Sequence, residues 1–95
     1  MTNAEINLAI AKIEFPNDEG LHITSDGATV YVPSEQEGRN YCEWWADIGE
    51  IIERERMKIV PLMEKYRVSK GDVYAQDHSL TKAAALCYLK LNTTH

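Results

Sequence analysis

The residues best suited to chemistry near neutral pH are the histidines, but their sequence neighbours do not form catalytic patterns. His22 lies in a stretch that alternates in polarity, which predicts an ordinary histidine on a sheet surface. Asp77-His78-Ser79 contains the side chains of a hydrolytic triad, yet sequence neighbours at a helix start generally cannot adopt triad geometry. We therefore interpret Ser79 as a helix cap and assign no catalytic role to His22, His78 or the terminal His95.

The cysteines and glycines also lack the spacing of known sites. Cys42 and Cys87 form no CxxC pair, and with neither a secretory leader nor a membrane-length apolar run in the chain, we predict two free, buried thiols. Each glycine is isolated, so the sequence contains no phosphate-binding loop. We expect a protein that is not an enzyme, binds no cofactor or metal, and does not insert into a membrane.

Charge is distributed unevenly along the chain. Residues 1–50 contain ten carboxylates and two bases, a balance of −8, whereas residues 51–95 contain five carboxylates and eight bases, a balance of +3. We therefore predict that the protein does not bind nucleic acid, because phosphate contacts need clustered Lys and Arg. The acidic half predicts a negatively charged surface formed by Glu35, Glu37, Glu43, Asp47, Glu50 and Glu53. This surface either keeps the protein soluble or imitates the phosphates of a nucleic acid.

Residues 40–56 have the strongest helical pattern and contain both tryptophans. Trp44, Trp45 and three isoleucines fall within about 120° of a helical wheel, which predicts one buried stripe. Asn40 and Glu43 have the spacing of a capping box, and Asp47, Glu50 and Glu53 fall on the opposite, solvated face. We expect both indoles to be at least half buried in the core. The alternative is that Trp44 is partly exposed and anchors an interface, since Trp is common at binding hot spots.

The remaining elements follow from capping and turn signals. Thr2 and Glu5 predict a capping box at the start of a helix over residues 3–14. Asp26-Gly27 predicts a hairpin between residues 21–24 and 28–32, with positive φ at both turn positions. A polar loop over residues 33–40 is expected next. Further strands are predicted at residues 58–63, where Pro61 indicates a sheet edge or a bend, and in one of the two segments that flank Gly71. Ser79 then begins a helix that runs to Leu91, followed by a frayed tail over residues 92–95.

These elements predict an α+β fold in a single domain spanning residues 1–95. The order is αββαββα, with two hairpins that form one four-stranded antiparallel sheet and helices packed on it as a layered sandwich. The last helix is apolar nearly all round, which indicates burial on two sides or contact with a partner. Leu86 and Leu89 lie on its back face, so we predict them as candidates for self-association in a homodimer.

Several short motifs resemble the small NinX-like proteins of tailed bacteriophages. They are Ala4-Glu5-Ile6-Asn7, Trp45-Ala46-Asp47 leading into Ile51-Ile52, Lys58-Ile59, Ala83-Ala84-Ala85-Leu86 and Tyr88-Leu89-Lys90-Leu91. That group is similar to phage domains described as α-β-α sandwiches. The resemblance implies a phage or prophage origin and a location in the host cytoplasm. It implies no activity and transfers no functional residue.

The sequence therefore predicts a small phage- or prophage-encoded accessory protein that acts by binding another protein of the host or the phage. Its predicted interface residues are Trp44, Leu86 and Leu89. The alternative is an acidic decoy that inhibits a host defence nuclease through the six carboxylates named above.

Overall fold

The computed structural model describes residues 1–93 and has the predicted α+β class. The helices are α1 (Asn3–Glu14), α2 (Trp45–Glu55) and α3 (Leu80–Thr93). The strands are β1 (His22–Ile23), β2 (Val30–Val32), β3 (Glu37–Arg39), β4 (Lys58–Pro61), β5 (Tyr66–Lys70) and β6 (Val73–Asp77).

Helix α1 begins and ends where the sequence predicts. The Thr2 hydroxyl accepts a hydrogen bond from the Glu5 backbone N–H at 3.2 Å, and the Glu5 carboxylate accepts one from the Thr2 N–H at 2.9 Å. This reciprocal pair satisfies two backbone donors that have no partner inside the helix. The helix buries Ile6 and Ile10 and ends before Pro16, which excludes helical geometry at the preceding residue.

The prediction of one four-stranded sheet is wrong, because the chain forms two separate three-stranded antiparallel sheets. Sheet A has the order β1-β2-β3, and its central strand buries Val30 and Val32. Strand β3 lies in the stretch that we expected to be a polar loop. Its residues pair with β2 from Val30 opposite Arg39 to Val32 opposite Glu37. As an edge strand, β3 can be polar because it has only one neighbour to pack against.

The Asp26-Gly27 hairpin forms, but its turn differs from the predicted two-residue type. Gly27 has a φ of +81°, whereas Asp26 is not in the left-handed region. The loop is closed by the hydrogen bond from the Thr24 N–H to the Thr29 carbonyl at 2.8 Å. The Asp26 carboxylate accepts hydrogen bonds from the Ala28 and Thr29 N–H groups, and these bonds hold the wider turn in place of a second positive φ.

Sheet B has the order β4-β5-β6, so both segments that flank Gly71 are strands. Gly71 has a φ of +61° in the tight turn that places Lys70 opposite Val73. Strand β4 is at an edge of the sheet, as predicted, but it ends at Pro61 and not at residue 63. Val68 and Ala75 form the buried centre of the sheet.

Helix α2 begins five residues later than predicted. Asn40 and Glu43 do form a cap, with the Glu43 N–H bonded to the Asn40 side-chain oxygen at 3.1 Å. They cap a separate turn, because Trp44 is extended, with φ −97° and ψ 113°. Ile48, Ile51 and Ile52 form the buried stripe of α2. The helix ends at Arg56, whose left-handed φ of +53° lets the Met57 N–H bond to the Ile52 carbonyl.

Helix α3 is buried on two sides, as its apolar pattern predicts. It contacts β5 and β6 on one side and α1 and α2 on the other, and α1 in turn contacts β1 and β2. Helices α1 and α3 therefore lie between the two sheets, so the expected arrangement with helices packed on a single sheet is wrong. Asn92 and Thr93 belong to α3, contrary to the prediction of a tail from residue 92. The rest of the predicted tail, with His95, lies outside the described residues.

Within residues 1–93, no helix has the length and hydropathy needed to cross a membrane.

Candidate functional site

The Asp77-His78-Ser79 side chains do not form a triad in the structure. The Ser79 hydroxyl accepts a hydrogen bond from the Lys82 N–H at 3.3 Å, which is the predicted cap of α3. The Asp77 carboxylate accepts a bond from the Ser79 N–H, and a His78 ring nitrogen lies 2.8 Å from the Glu64 carbonyl. Each of these three side chains therefore bonds to a backbone group and not to another side chain of the triad. His22 is exposed on β1.

Both cysteines are free and buried, as predicted. Burial raises the pKa of the Cys42 thiol to about 11 and also raises the pKa of Cys87. At neutral pH these thiols are therefore protonated and poorly nucleophilic. The part of the chain that the structure describes contains no group of three His, Cys, Asp or Glu side chains arranged to hold a metal ion.

The six predicted acidic residues do not form one free surface. The Arg39 guanidinium contacts Glu37 at 3.1 Å, Asp47 at 3.4 Å and Glu35 at 3.5 Å. The prediction that Asp47 faces solvent is wrong, because its side chain is only 7% exposed and accepts a hydrogen bond from the Asn40 N–H at 2.8 Å. Glu43, Glu50 and Glu53 are exposed, as expected.

The prediction that both indoles are at least half buried is correct for Trp44 and narrowly wrong for Trp45, and the partial exposure that the alternative expected of Trp44 is observed. The role of Trp44 as an interface anchor stays a prediction. Trp44 is 45% exposed and Trp45 is 54% exposed. A side chain added at Gly49 would lie 3.2 Å from the Trp45 indole nitrogen, so this indole lies along its own helix over the glycine. Gly49, which is otherwise unfavourable in a helix, provides the space. We call Trp44 and Trp45 the α2 aromatic surface.

A groove of about 380 Å³ lies beside the α2 aromatic surface, between helix α2 and strand β4. We call it the α2–β4 groove, and its lining residues are Trp45, Ala46, Gly49, Glu50, Ile52, Glu53 and Ile59. Sequence analysis missed Trp45 and Ile59 as surface candidates. The Trp45–Gly49 spacing of four was the available signal, because residues four apart share one helix face.

The two leucines predicted for self-association lie together on a second apolar surface. Leu86 and Leu89 are partly exposed and line a groove of about 350 Å³ with Met1, Ala9, Lys90 and Thr93. Both also pack against the core, so they are divided between the interior and the surface. The structure does not bring them to Trp44, so the predicted interface residues belong to two separate surfaces.

A polar cluster that sequence analysis did not identify joins the three helices. The Glu14 carboxylate accepts hydrogen bonds from Tyr88 at 2.6 Å and from Arg54 at 2.8 and 3.0 Å. Burial raises the pKa of Glu14, but these hydrogen bonds outweigh it and hold the pKa below its ordinary value. Burial raises the pKa of Tyr88 to about 12, with a further contribution from its bond to Glu14. All three groups are therefore held in one protonation state near neutral pH, which is suited to a structural link.

Comparison of the chain with protein-family models, with curated proteins and with solved structures gives no match. The similarity to NinX-like phage proteins and the location that it implies therefore remain predictions.

Proposed function

We propose that the chain is a small accessory protein, of the phage type that its motifs resemble, and that it acts in the host cytoplasm by binding another protein without catalysis. The observation that carries the proposal is the α2 aromatic surface. Two tryptophans adjacent in sequence are each about half exposed, and Trp45 also lines the α2–β4 groove. Tryptophan is among the residues most enriched in binding hot spots, where one buried indole can supply much of the affinity.

A partner that covers both indoles would remove a substantial apolar area from water. A fully buried aromatic side chain removes about 150–250 Å² from water, at about 25 cal/mol per Å². Two indoles that are half exposed therefore leave roughly 150–250 Å² for a partner, or about 4–6 kcal/mol before the costs of association. Such a contact would be large enough to anchor a specific interface.

The acidic-decoy alternative receives less support from the geometry. Arg39 neutralises part of the predicted charge, and Asp47 lies away from solvent, which leaves no continuous array of free carboxylates. Salt dependence distinguishes the two functions, since charges at the surface are screened within about 8–10 Å at 0.1–0.15 M salt. A decoy complex should dissociate in 0.5 M salt, whereas a complex anchored by indoles should persist.

The experiment is an affinity capture from lysate of the infected host, divided into nuclease-treated and untreated halves and analysed by mass spectrometry. The bait is the full chain, compared with a Trp44→Ala/Trp45→Ala double variant. Tyr74→Ala is the matched control, because Tyr74 is 51% exposed on β6, at the opposite edge of sheet B from β4. We expect the wild type and the control to capture one protein in a near-stoichiometric amount, with or without nuclease treatment. The double variant should not capture it.

Light scattering tests self-association at the second apolar surface. If Leu86 and Leu89 mediate a homodimer, the mass should equal two chains and should fall to one in a Leu86→Gln/Leu89→Gln variant.

In the capture experiment, equal capture by the wild type and the tryptophan variant would contradict the proposed function, provided that thermal unfolding shows both baits to be folded.

A further inference from the structure

The α2–β4 groove runs beside an unpaired strand edge. Strand β4 is at the edge of sheet B and pairs only with β5. Beyond the strand, the Leu62 N–H bonds to the Lys65 carbonyl at 2.8 Å, which makes Leu62 and Lys65 a hydrogen-bonded pair. Hydrogen-bonded and non-bonded pairs alternate along an antiparallel ladder, so Val60 with Arg67 is the next bonded pair.

By this alternation, Ile59 and Pro61 direct their backbone polar groups away from β5. Pro61 is consistent with the assignment, since it has no N–H to donate and loses nothing at an outward position. In this register the Ile59 N–H and carbonyl make no ladder hydrogen bond to β5, and within residues 1–93 no strand pairs with the other side of β4. An incoming residue placed opposite Ile59 in an antiparallel arrangement could therefore exchange two backbone hydrogen bonds with it.

Residues opposite one another in a sheet point their side chains to the same face. Ile59 lines the groove and packs against the core, and Val68 opposite it is fully buried in that core. The incoming residue opposite Ile59 would thus place its side chain among Ile52, Ile59 and Trp45. Only an apolar side chain suits that position, because a polar group would lose its water without gaining a partner.

The groove also has charges that are not neutralised. Glu50 and Glu53 line it, and neither forms an ion pair with a basic side chain in the part of the chain that the structure describes. In a strand, residues two positions before and after the apolar residue point to the same face. Lys or Arg at those two positions would complement the glutamates.

We propose that the α2–β4 groove binds an extended segment of a partner protein, which adds to β4 as a fourth strand of sheet B. The recognised pattern is basic, any residue, aliphatic, any residue, basic. The free edge of β4 favours an extended over a helical segment, because only an extended backbone can pair with Ile59. This inference rests on the proposed function and specifies its partner.

A displayed library of random nine-residue peptides tests the proposal. The library is selected separately on the wild-type chain, on Glu50→Lys/Glu53→Lys and on Trp44→Ala/Trp45→Ala. Glu19→Lys/Glu64→Lys is the matched control, because it makes the same charge change at exposed positions outside the groove. A selected peptide is then synthesised with and without an N-methyl group on its aliphatic residue, which removes one backbone donor.

We expect the wild type and the control to enrich the alternating basic–aliphatic pattern and the Glu50/Glu53 variant to lose it. N-methylation should weaken binding about fivefold or more, the usual effect of one lost hydrogen bond. Enrichment of another pattern, equal binding to the Glu50/Glu53 variant, or no enrichment would overturn the inference. A wild-type dimer that Glu50→Lys/Glu53→Lys dissociates would also overturn it, by assigning the groove to a second copy. Failure of the inference leaves the proposed function intact if the lysate protein still requires the two tryptophans.

Discussion

Replacement of Asn7 by Ala should destabilise the protein more than any surface change, because Asn7 is a fully buried polar connector. Its side chain is 0% exposed and makes three hydrogen bonds. The amide nitrogen donates to the Ala28 carbonyl at 3.1 Å and to the Asn40 side-chain oxygen at 2.9 Å, and the amide oxygen accepts from the Cys42 N–H at 3.0 Å. Asn7 therefore joins α1 to the chain before β2 and to the turn before α2.

The expected loss can be worked from the partners that remain. In the Asn7→Ala variant the Asn40 oxygen keeps its bond from Glu43, but the Ala28 carbonyl and the Cys42 N–H lose the partners described above. A buried polar group without a partner costs about 1–3 kcal/mol, so the loss of partners at two groups should lower the unfolding free energy by about 2–6 kcal/mol. Because a domain of this size loses about 4–8 °C per kcal/mol, Tm should fall by at least about 8 °C.

Denaturant unfolding followed by circular dichroism measures this loss, with Asn17→Ala as the control. Asn17 is exposed, and its substitution should change the unfolding free energy by less than about 0.5 kcal/mol. Asn7→Asp separates polarity from volume, since its carboxylate keeps the bond from Cys42 but faces two oxygens. At pH 7 it should be at least as unstable as Asn7→Ala. If Asn7→Ala and Asn17→Ala unfold within 0.5 kcal/mol of each other, the reasoning is refuted.

Three further outcomes follow from the hydrogen bonds and turns. Glu14→Gln should have a lower Tm than the wild type at pH 7, and this difference in Tm should be smaller at pH 3. The pKa of Glu14 is lowered in the folded state, so its carboxylate stabilises the fold above the unfolded pKa of about 4.3. That stabilisation disappears as the pH falls through the folded pKa. Parallel pH curves would contradict this. Hydrogen bonds from Thr29 hold the pKa of Asp26 well below its ordinary value. The midpoint of its NMR titration should therefore lie below the ordinary aspartate value of about 3.9, and a midpoint at that value would contradict the prediction. Gly71→Ala should lower the unfolding free energy by about 1 kcal/mol, measured by chemical denaturation. An added methyl group would meet no neighbouring atom, but the positive φ of Gly71 is unfavourable for alanine. An unchanged denaturation midpoint would contradict this prediction.

The parts of the fold that depend on local chemistry could be predicted from the sequence. The capping box at Thr2 and Glu5 fixed the start of α1, and Pro16 fixed its end. The burial of α3 on two sides followed from its apolar circumference. In each case the determining contacts lie within a few residues, so the pattern alone contains the information.

The division of the strands into two sheets could not be predicted in this way. Strand β3 is polar, and only its pairing with β2 identifies it as a strand. Hairpin signals specify neighbours along the chain, but they do not say whether two hairpins join. Here α1 and α3 lie between the sheets and bury one face of each, so joining the hairpins would leave part of this helical surface uncovered.

The exposure of the tryptophans shows why helical periodicity is not sufficient to identify a core. The periodicity places Trp44 and Trp45 on one stripe with the buried isoleucines, but it assumes a helix that already runs at residue 40. The Asp47 carboxylate instead accepts the Asn40 N–H, and the Arg39 guanidinium contacts the same carboxylate, which holds the chain in a separate turn before α2. Trp44 then precedes the helix, and Trp45 lies in its first turn, where the core does not reach. A buried carboxylate that the charge pattern assigned to solvent is therefore what places the two indoles at the surface, beside the groove.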